Sequence, residues 1–483
     1  MKLELNRYQD SVAACWVGKN IGGTMGAPHE GRREMLDIQG FVTEAGVALP
    51  NDDLDLQLVW LYALEHLGPK NISAATLGEF WLSYVIPHWN EYGICKANMS
   101  RGFAPPLAGD YDNNWQHSNG AWIRTEVWAC LAPGCPEVAA KYAIEDAKVD
   151  HGCGEGTYAA AFVAAMQSAA FVVKDLDNCI DIGLCAIPED CAVAKSVRLV
   201  RQYFREGKDY AEARNAVLAL NAHIGDGWFE SPSNVAYTVL GLLYGQGDFK
   251  KSMILAINCG DDTDCTGATV GATLGILSGT AVIPEDWKAH IGDTIVTICI
   301  NRCSRAHYMP RTCTELTQRL IRQTPTVLSQ NGCGTELSDR DEIPEDVAQQ
   351  LQKAMAKKRM GAIKPYSVKY NHIYMESEVS LDRPPEIVPD GEIGVTVDFF
   401  NTFVGDNINF NLQLNWILPE GFAVRGGRKA LRLAASDAHH NAQVSSTFTL
   451  VAGASVEAVN RCVLEVLVEG RYTPIYLPVV LLG

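Results

Sequence analysis

The sequence predicts a multidomain α + β protein, an all-α domain followed by a small β-sandwich. Three observations predict it. Apolar residues recur at helical spacing through the first three quarters of the chain. After Pro389-Asp390-Gly391 they alternate at period two. Between the two patterns, Gly361-Ala362-Ile363-Lys364-Pro365 breaks a charged amphipathic helix running from Ile343 to Met360. At 483 residues the chain also exceeds the ~250–300 at which one core stops growing. The domains are therefore drawn as 1–361 and 362–483, and a chain ending near Gly361 is expected to be soluble and helical.

Composition narrows the class. A hydrophobic content of 47% can fill a core, and a net charge of −17 argues against a general nucleic-acid surface. Fifteen cysteines, an odd number with no C-x-x-C pair, read as buried thiols in a reducing compartment. No apolar stretch follows a basic N-terminus, and the longest apolar runs are too short or too glycine-broken to span a bilayer. The expected location is cytoplasmic, away from membranes.

The first helix is read from a cap at Asp10-Ser11 through Val12, Cys15, Trp16 and Lys19 to a stop at Ala27-Pro28. Gly18, Gly22 and Gly26 fall at intervals of four, which clears one face for the close approach of another helix. Glu30 follows in a loop. Next comes Asn51-Asp52-Asp53-Leu54-Asp55, opening a helix through Leu56, Val59, Trp60, Ala63, Leu64 and Leu67. Asn51 or Asp52 is its natural N-cap. Trp81 and Tyr84 share a helical face and are assigned to the core. His117-Ser118-Asn119-Gly120-Ala121 is a polar turn able to present backbone N–H groups. Asp150-His151 precedes a long helix through Tyr158, Phe162, Met166 and Phe171. His151 and Cys153 lack a second pair at zinc spacing. Further helices cover about 190–205, 211–221 and 233–244, and no strand is read before residue 360.

The densest charge lies in Gly260-Asp261-Asp262-Thr263-Asp264-Cys265, before a run of small and apolar residues. Unpaired carboxylates repel, and burying each costs several kcal/mol. One carboxylate caps a helix, yet two clusters here each place three acids in four positions at the head of an apolar helix. Together they read as two halves of one metal site. Aspartate oxygens without a neighbouring histidine suit a hard ion, Mg²⁺ or Mn²⁺, with two ions favoured over one.

These segments, with Gly26-Ala27-Pro28-His29-Glu30, Ser118-Asn119-Gly120-Ala121 and Asp150-His151, occur in an order that resembles the ADP-ribosylglycohydrolase family over roughly residues 5–330. The resemblance implies an all-α fold with two Mg²⁺ or Mn²⁺ ions in a cleft. It implies cleavage of the bond from a terminal ribose to a protein side chain or another leaving group. It makes Asn51, Asp52, Asp53, Asp262, Asp264 and Cys265 the metal ligands. Glu30 is the glutamate that gates the cleft, and Glu30 and Asp53 are the catalytic carboxylates. Ser118, Asn119, Gly120 and His151 contact substrate. Asn51 and Cys265 depart from the family's hydroxyl residues, and a thiol is a poor Mg²⁺ ligand; Asp55 and Asp261 stand by as substitutes. Two other readings stay open: hydrolysis of a different ribosyl or N-glycosidic metabolite, and a non-catalytic binding protein that keeps the fold.

In the C-terminal part, alternation covers 394–400, 407–414, 444–450 and 463–468. About a hundred residues of short strands read as a sandwich. It resembles the immunoglobulin-like accessory modules of bacterial hydrolases, which implies packing on a catalytic domain or a homo-oligomer. His439-His440 reads as an exposed loop.

Overall fold

The computed structural model describes residues 1–301, 308–361, 363–403, 408–436 and 442–483. Contacts divide the chain into two units. The first joins Met1–Gly93 to Asn113–Ile363, and the second joins Ile94–Asp112 to Lys364–Gly483.

The first unit is helical. At its centre the helices Leu5–Gly26 and Thr263–Ser278 lie against each other, the second buried along its whole length except Ser278. The glycine spacing explains how. A methyl group at Gly18, Gly22 or Gly26 would overlap the backbone of Gly271, Gly267 or Thr263. The partner helix answers with small residues of its own, since a methyl at Gly271 or Gly275 would strike Gly18 or Ala14. Two backbones thus approach where side chains would hold them apart. The first helix starts earlier than its sequence cap suggested. Glu4 caps it, accepting from the Asn6 and Arg7 amides, while Asp10 accepts from Thr280. The helices Glu155–Ala170, Ala192–Arg205, Tyr210–Leu220, Ser231–Gly245 and Val347–Lys357 stand where periodicity placed them. Trp81 is fully buried and Tyr84 half-buried. One correction concerns strands: β1 (Lys2–Glu4) pairs in parallel with β2 (Glu336–Ser338). Three residues are too few to show alternation. No described helix is long and apolar enough to cross a membrane, and no disulfide joins the described cysteines.

The second unit holds β3 (Ser367–Asn371), β4 (Met375–Leu381), β5 (Glu392–Asn401), β6 (Phe410–Ile417), β7 (Ala423–Gly426), β8 (Ala430–Leu433), β9 (Gln443–Val451), β10 (Val459–Val468) and β11 (Ile475–Leu482). They form two antiparallel sheets, β11-β10-β6-β8 and β3-β4-β5-β9-β7. Inward residues of both share one core. Val395, Val397 and Phe399 of β5 join Leu412 and Leu414 of β6 and Leu464 and Val466 of β10, as in a β-sandwich. Sequence alternation captured β5, β6, β9 and β10. It missed β3 and β4. It also missed β11, whose inner positions and Pro478 read as a nearly continuous apolar run, and the four-residue β7 and β8. His439-His440 lies outside the described residues.

Residues 94–112, drawn with the helices, belong to this second unit. Phe103 and Leu107 bury themselves with Val368 and Val480 in a satellite core. Cutting the chain after Gly361 removes Val368 and Val480 and uncovers both residues. Such a chain is expected to keep its helical circular dichroism but to self-associate in light scattering. Replacing Phe103 and Leu107 by Ser in the same truncated chain should return it to a monomer.

Candidate metal centre

The acidic loop is set by its backbone. The helix Phe249–Asn258 ends at Cys259, and Gly260 and Asp261 turn through left-handed conformations with φ of 78° and 66°. Glycine takes this at no steric cost, and aspartate tolerates it better than most residues. The Asp261 amide donates to the Arg32 carbonyl at 2.6 Å, and the Gly31 amide donates to the Asp261 carbonyl at 2.9 Å. The loop bearing Glu30 is thereby pinned to the loop bearing Asp262 and Asp264. The Asp261 carboxylate is used locally, accepting from the Asn234 side chain at 2.8 Å and the Phe229 amide at 3.3 Å. Asp55 is likewise occupied, accepting from the Ile298 and Cys299 amides. Neither lines the cavity that Glu30, Asp262 and Asp264 share.

The two acidic clusters resolve differently at their helices. Asn51 caps Asp52–Leu67, its Oδ1 accepting from the Asp53 amide at 2.8 Å. Asp262 stands at the N-cap of Thr263–Ser278 but makes no capping bond with its side chain. Its Oδ2 accepts from the Asn119 amide group at 2.6 Å, and Asn119 is itself fixed by Trp122 at 2.9 Å. Its Oδ1 and the Oδ1 of Asp264 are buried without a hydrogen-bond partner. Capping therefore does not account for this cluster.

A cavity of about 190 Å³ gathers Glu30, Asp52, Ser118, Asn119, Gly120, Asp262, Asp264 and Cys265, with Glu91, Tyr92, Trp89 and Phe229 around them. One ligand atom from each of Asp262, Asp264 and Cys265 lies within 4.8 Å of the others. Asp52 accepts from the Tyr92 hydroxyl at 3.2 Å. The carboxylates raise one another's affinity for protons. Asp264's charge, then burial, pushes Glu30 up to about 8. Burial, then Asp264, pushes Asp52 up to about 6 and Asp262 well above the usual carboxylate range. Two orphaned buried oxygens amid mutually repelling carboxylates fit a hard divalent cation. Asp52, Asp262 and Asp264 would hold it, with Glu30 at the exposed rim.

The remaining predicted residues stand behind this wall. Asp53 is fully buried, its Oδ1 accepting from the Cys265 thiol at 3.2 Å and its Oδ2 lying 3.5 Å from the Lys19 ammonium. Asn51 packs its amide against Gly23, at a spot where a Cβ would overlap it. His151 is buried behind the Ser118–Gly120 turn. Its Nε2 is 3.1 Å from the Ser118 hydroxyl and its Nδ1 is 2.9 Å from Asp150. Arg124 grips Asp150 through two bonds of 3.0 and 2.8 Å, pairs with Asp146 and donates to the Gly120 carbonyl. His151 therefore supports the turn that lines the cavity.

Sequence reading missed Glu91, Tyr92, Arg124, Glu126 and the role of Lys19. Only Lys19 carried a signal, as a lone charge on a helix face of glycines and apolar residues.

The sequence profile of the ADP-ribosylglycohydrolase family matches residues 4–325. The chain belongs to the ADP-ribosylglycohydrolase family. Membership supports a glycohydrolase-type enzyme and agrees with the acidic groups found here. Among solved structures, an ADP-ribosylglycohydrolase-related protein complex is 21% identical, covering 66% of this chain and 100% of its own, with a TM-score of 0.45. A FixG-related protein from Vibrio parahaemolyticus is 10% identical over 22% of this chain and 95% of its own, with a TM-score of 0.18. The GAE domain of yeast GGA1 is 10% identical over 24% of this chain and 99% of its own, with a TM-score of 0.17. A search of curated proteins finds no match.

Proposed function

We propose that this chain is a metal-dependent hydrolase that cleaves the glycosidic bond of an ADP-ribosylated protein or an ADP-ribose-type metabolite. The observation that carries the reading is the pair of orphaned, buried Oδ1 atoms of Asp262 and Asp264 in a cavity shared with Glu30 and Asp52. A bound Mg²⁺ or Mn²⁺ would supply a Lewis acid for ribose hydroxyls and for an attacking water.

The chain's own groups do the rest. Glu30 stands at the rim, where solvent reaches it. Among the carboxylates of the cavity it is the one open to solvent, and so the best placed to take a proton from water. The flanking aspartates stabilise the oxocarbenium-like charge at the anomeric carbon. Asn119, held between Trp122 and Asp262, and the Ser118 hydroxyl, held by His151, orient sugar hydroxyls. At about 190 Å³ the cavity is smaller than the ~300–1,000 Å³ of pockets that enclose whole ligands. It takes a ribosyl unit, while the rest of the substrate lies along Trp89, which is 49% exposed, and Phe229. Asp53 touches Cys265 and Lys19 rather than the cavity, so in this reading it acts as a positioning residue.

The test is a panel of ADP-ribosylated side-chain linkages and ribosyl N-glycosides, offered to chelator-stripped protein with and without Mn²⁺ or Mg²⁺. Metal-dependent release from one class is expected. Metal binding with no release from any would make the chain a binding protein that keeps the fold.

Cys265 sets the metal preference. Its thiol lines the cavity and donates to Asp53. Sulfur near the ion favours Mn²⁺ over the harder Mg²⁺. Cys265→Thr is expected to lower the Mg²⁺ midpoint of activity several-fold and to change the Mn²⁺ midpoint less. Identical midpoints in both proteins would mean that the thiol serves only Asp53.

A further inference from the structure

We infer that the centre holds one divalent ion per chain, the electrostatic place of a second being taken by the ammonium of Lys19. The inference rests on the metal-site reading above and goes beyond it.

Lys19 lies on the helix Leu5–Gly26 with its side chain fully enclosed. Its Nζ is 3.1 Å from Glu126 Oε1 and 3.5 Å from Asp53 Oδ2. A buried ammonium persists only when its partners and their remaining lone pairs are satisfied. Here they are. Gln57 donates to Glu126 Oε2 at 2.9 Å and to the Asp53 carbonyl at 2.8 Å, while its own oxygen accepts from the Val127 amide at 2.7 Å. Gln167 donates to Glu126 Oε1 at 3.2 Å and to Thr273 Oγ1 at 3.2 Å. Asp53, Gln57, Glu126, Gln167 and Thr273, five side chains from four helices, thus fix one positive charge behind the cavity wall.

This changes what the first acidic cluster can offer. Asp53 has one oxygen facing Lys19 and the other facing the Cys265 thiol. Asn51 spends its carbonyl oxygen on the Asp53 amide. Neither lines the cavity, whereas Asp52 does. Five carboxylates line the cavity, and one of them, Glu91, sits with Asp150 and His151 against Gly120. That leaves Asp52, Asp262 and Asp264 as one ion's hard ligands, with Glu30 at the rim. A second ion on Asp53 would have to displace the thiol and sit beside a fixed cation, which repels it through a medium of low dielectric. Lys19 therefore acts as a built-in counter-charge for half of the acidic site.

The experiment uses the full chain, stripped with chelator and titrated with Mn²⁺ by calorimetry, with electron paramagnetic resonance on the loaded protein. One ion per chain with an isolated six-line spectrum is expected. Two ions with a spin-coupled spectrum would overturn this inference and leave the metal-site reading standing. No binding would overturn both. A double variant, Lys19→Met with Glu126→Gln, removes one charge of each sign and keeps a polar partner for Gln57 and Gln167. It is expected to raise the stoichiometry from one to two, because Asp53 is released from its ammonium. A folded double variant that still binds one ion would show that Lys19 is not what excludes the second. Should the double variant fail to fold, the wild-type count alone decides.

Discussion

Asp264→Ala is expected to lower metal-dependent turnover on the order of 10³-fold, as loss of a charge that organises the reacting centre does, and to leave the chain folded. Asp264 is the electrostatic hub of the cavity. It is the largest cause of the raised proton affinity of Glu30 and the largest charge acting on Asp52 and Asp262. Its Oδ1 has no partner to lose. Removing one of several repelling buried carboxylates therefore relieves the metal-free chain. The pH dependence gives an independent readout. In the folded, metal-free protein Glu30 is pushed from 4.5 to about 8. Its contribution to stability is thus fully present below pH 4.5 and is lost as the pH rises through 8. The melting temperature of the stripped wild type should fall across that window, and the fall should be shallower in Asp264→Ala. Full activity of the purified variant at saturating metal would contradict the assignment.

Gly22→Val is expected to destabilise the first unit by about 3 kcal/mol or more, at the upper end of overpacking costs. A Cβ at Gly22 already overlaps the Gly267 and Ala268 backbone, and a branched side chain adds two further carbons. Neither helix can move aside, because both are enclosed by the core along this stretch. Separating them also separates Glu30, which follows the first helix, from Asp262 and Asp264, which open the second. Metal affinity should fall together with stability. Denaturant unfolding and Mn²⁺ titration would check this. A variant with native stability and native metal affinity would mean that the glycine face is not what sets the helix approach.

Those two helices also show what was readable in advance. Glycines at intervals of four and acids at the head of a small-residue run are local patterns. The first anticipated a close helix approach without naming the partner, and the second marked a loop that lines the cavity. The use of each acid was not local. Asn51 and Asp262 look equivalent as N-caps in sequence, yet only Asn51 makes the capping bond, because backbone geometry rather than residue type decides it. Asp55 and Asp261 looked available for a metal, but their amide partners come from residues 298–299 and 229–234. Lys19, Asp53 and Glu126 meet across 107 positions of chain, and nothing in their separate neighbourhoods announces it. The same limit applied to 94–112. Phe103 and Leu107 look like any helical-core residues until β3 and β11 are seen to cover them. Strand alternation succeeded where one face meets the core, and failed at β11, where the pattern is nearly continuous.

The measurement that bears most directly on the centre is an anomalous difference map from crystals of the full chain soaked in MnCl₂. The account predicts a peak within ligand distance of Asp262 and Asp264, ~2.0–2.6 Å as for hard cations on oxygen, with Asp52 on its other side and none on Asp53. A map without density at the Asp262 and Asp264 oxygens, or with its strongest peak elsewhere in the chain, would contradict it.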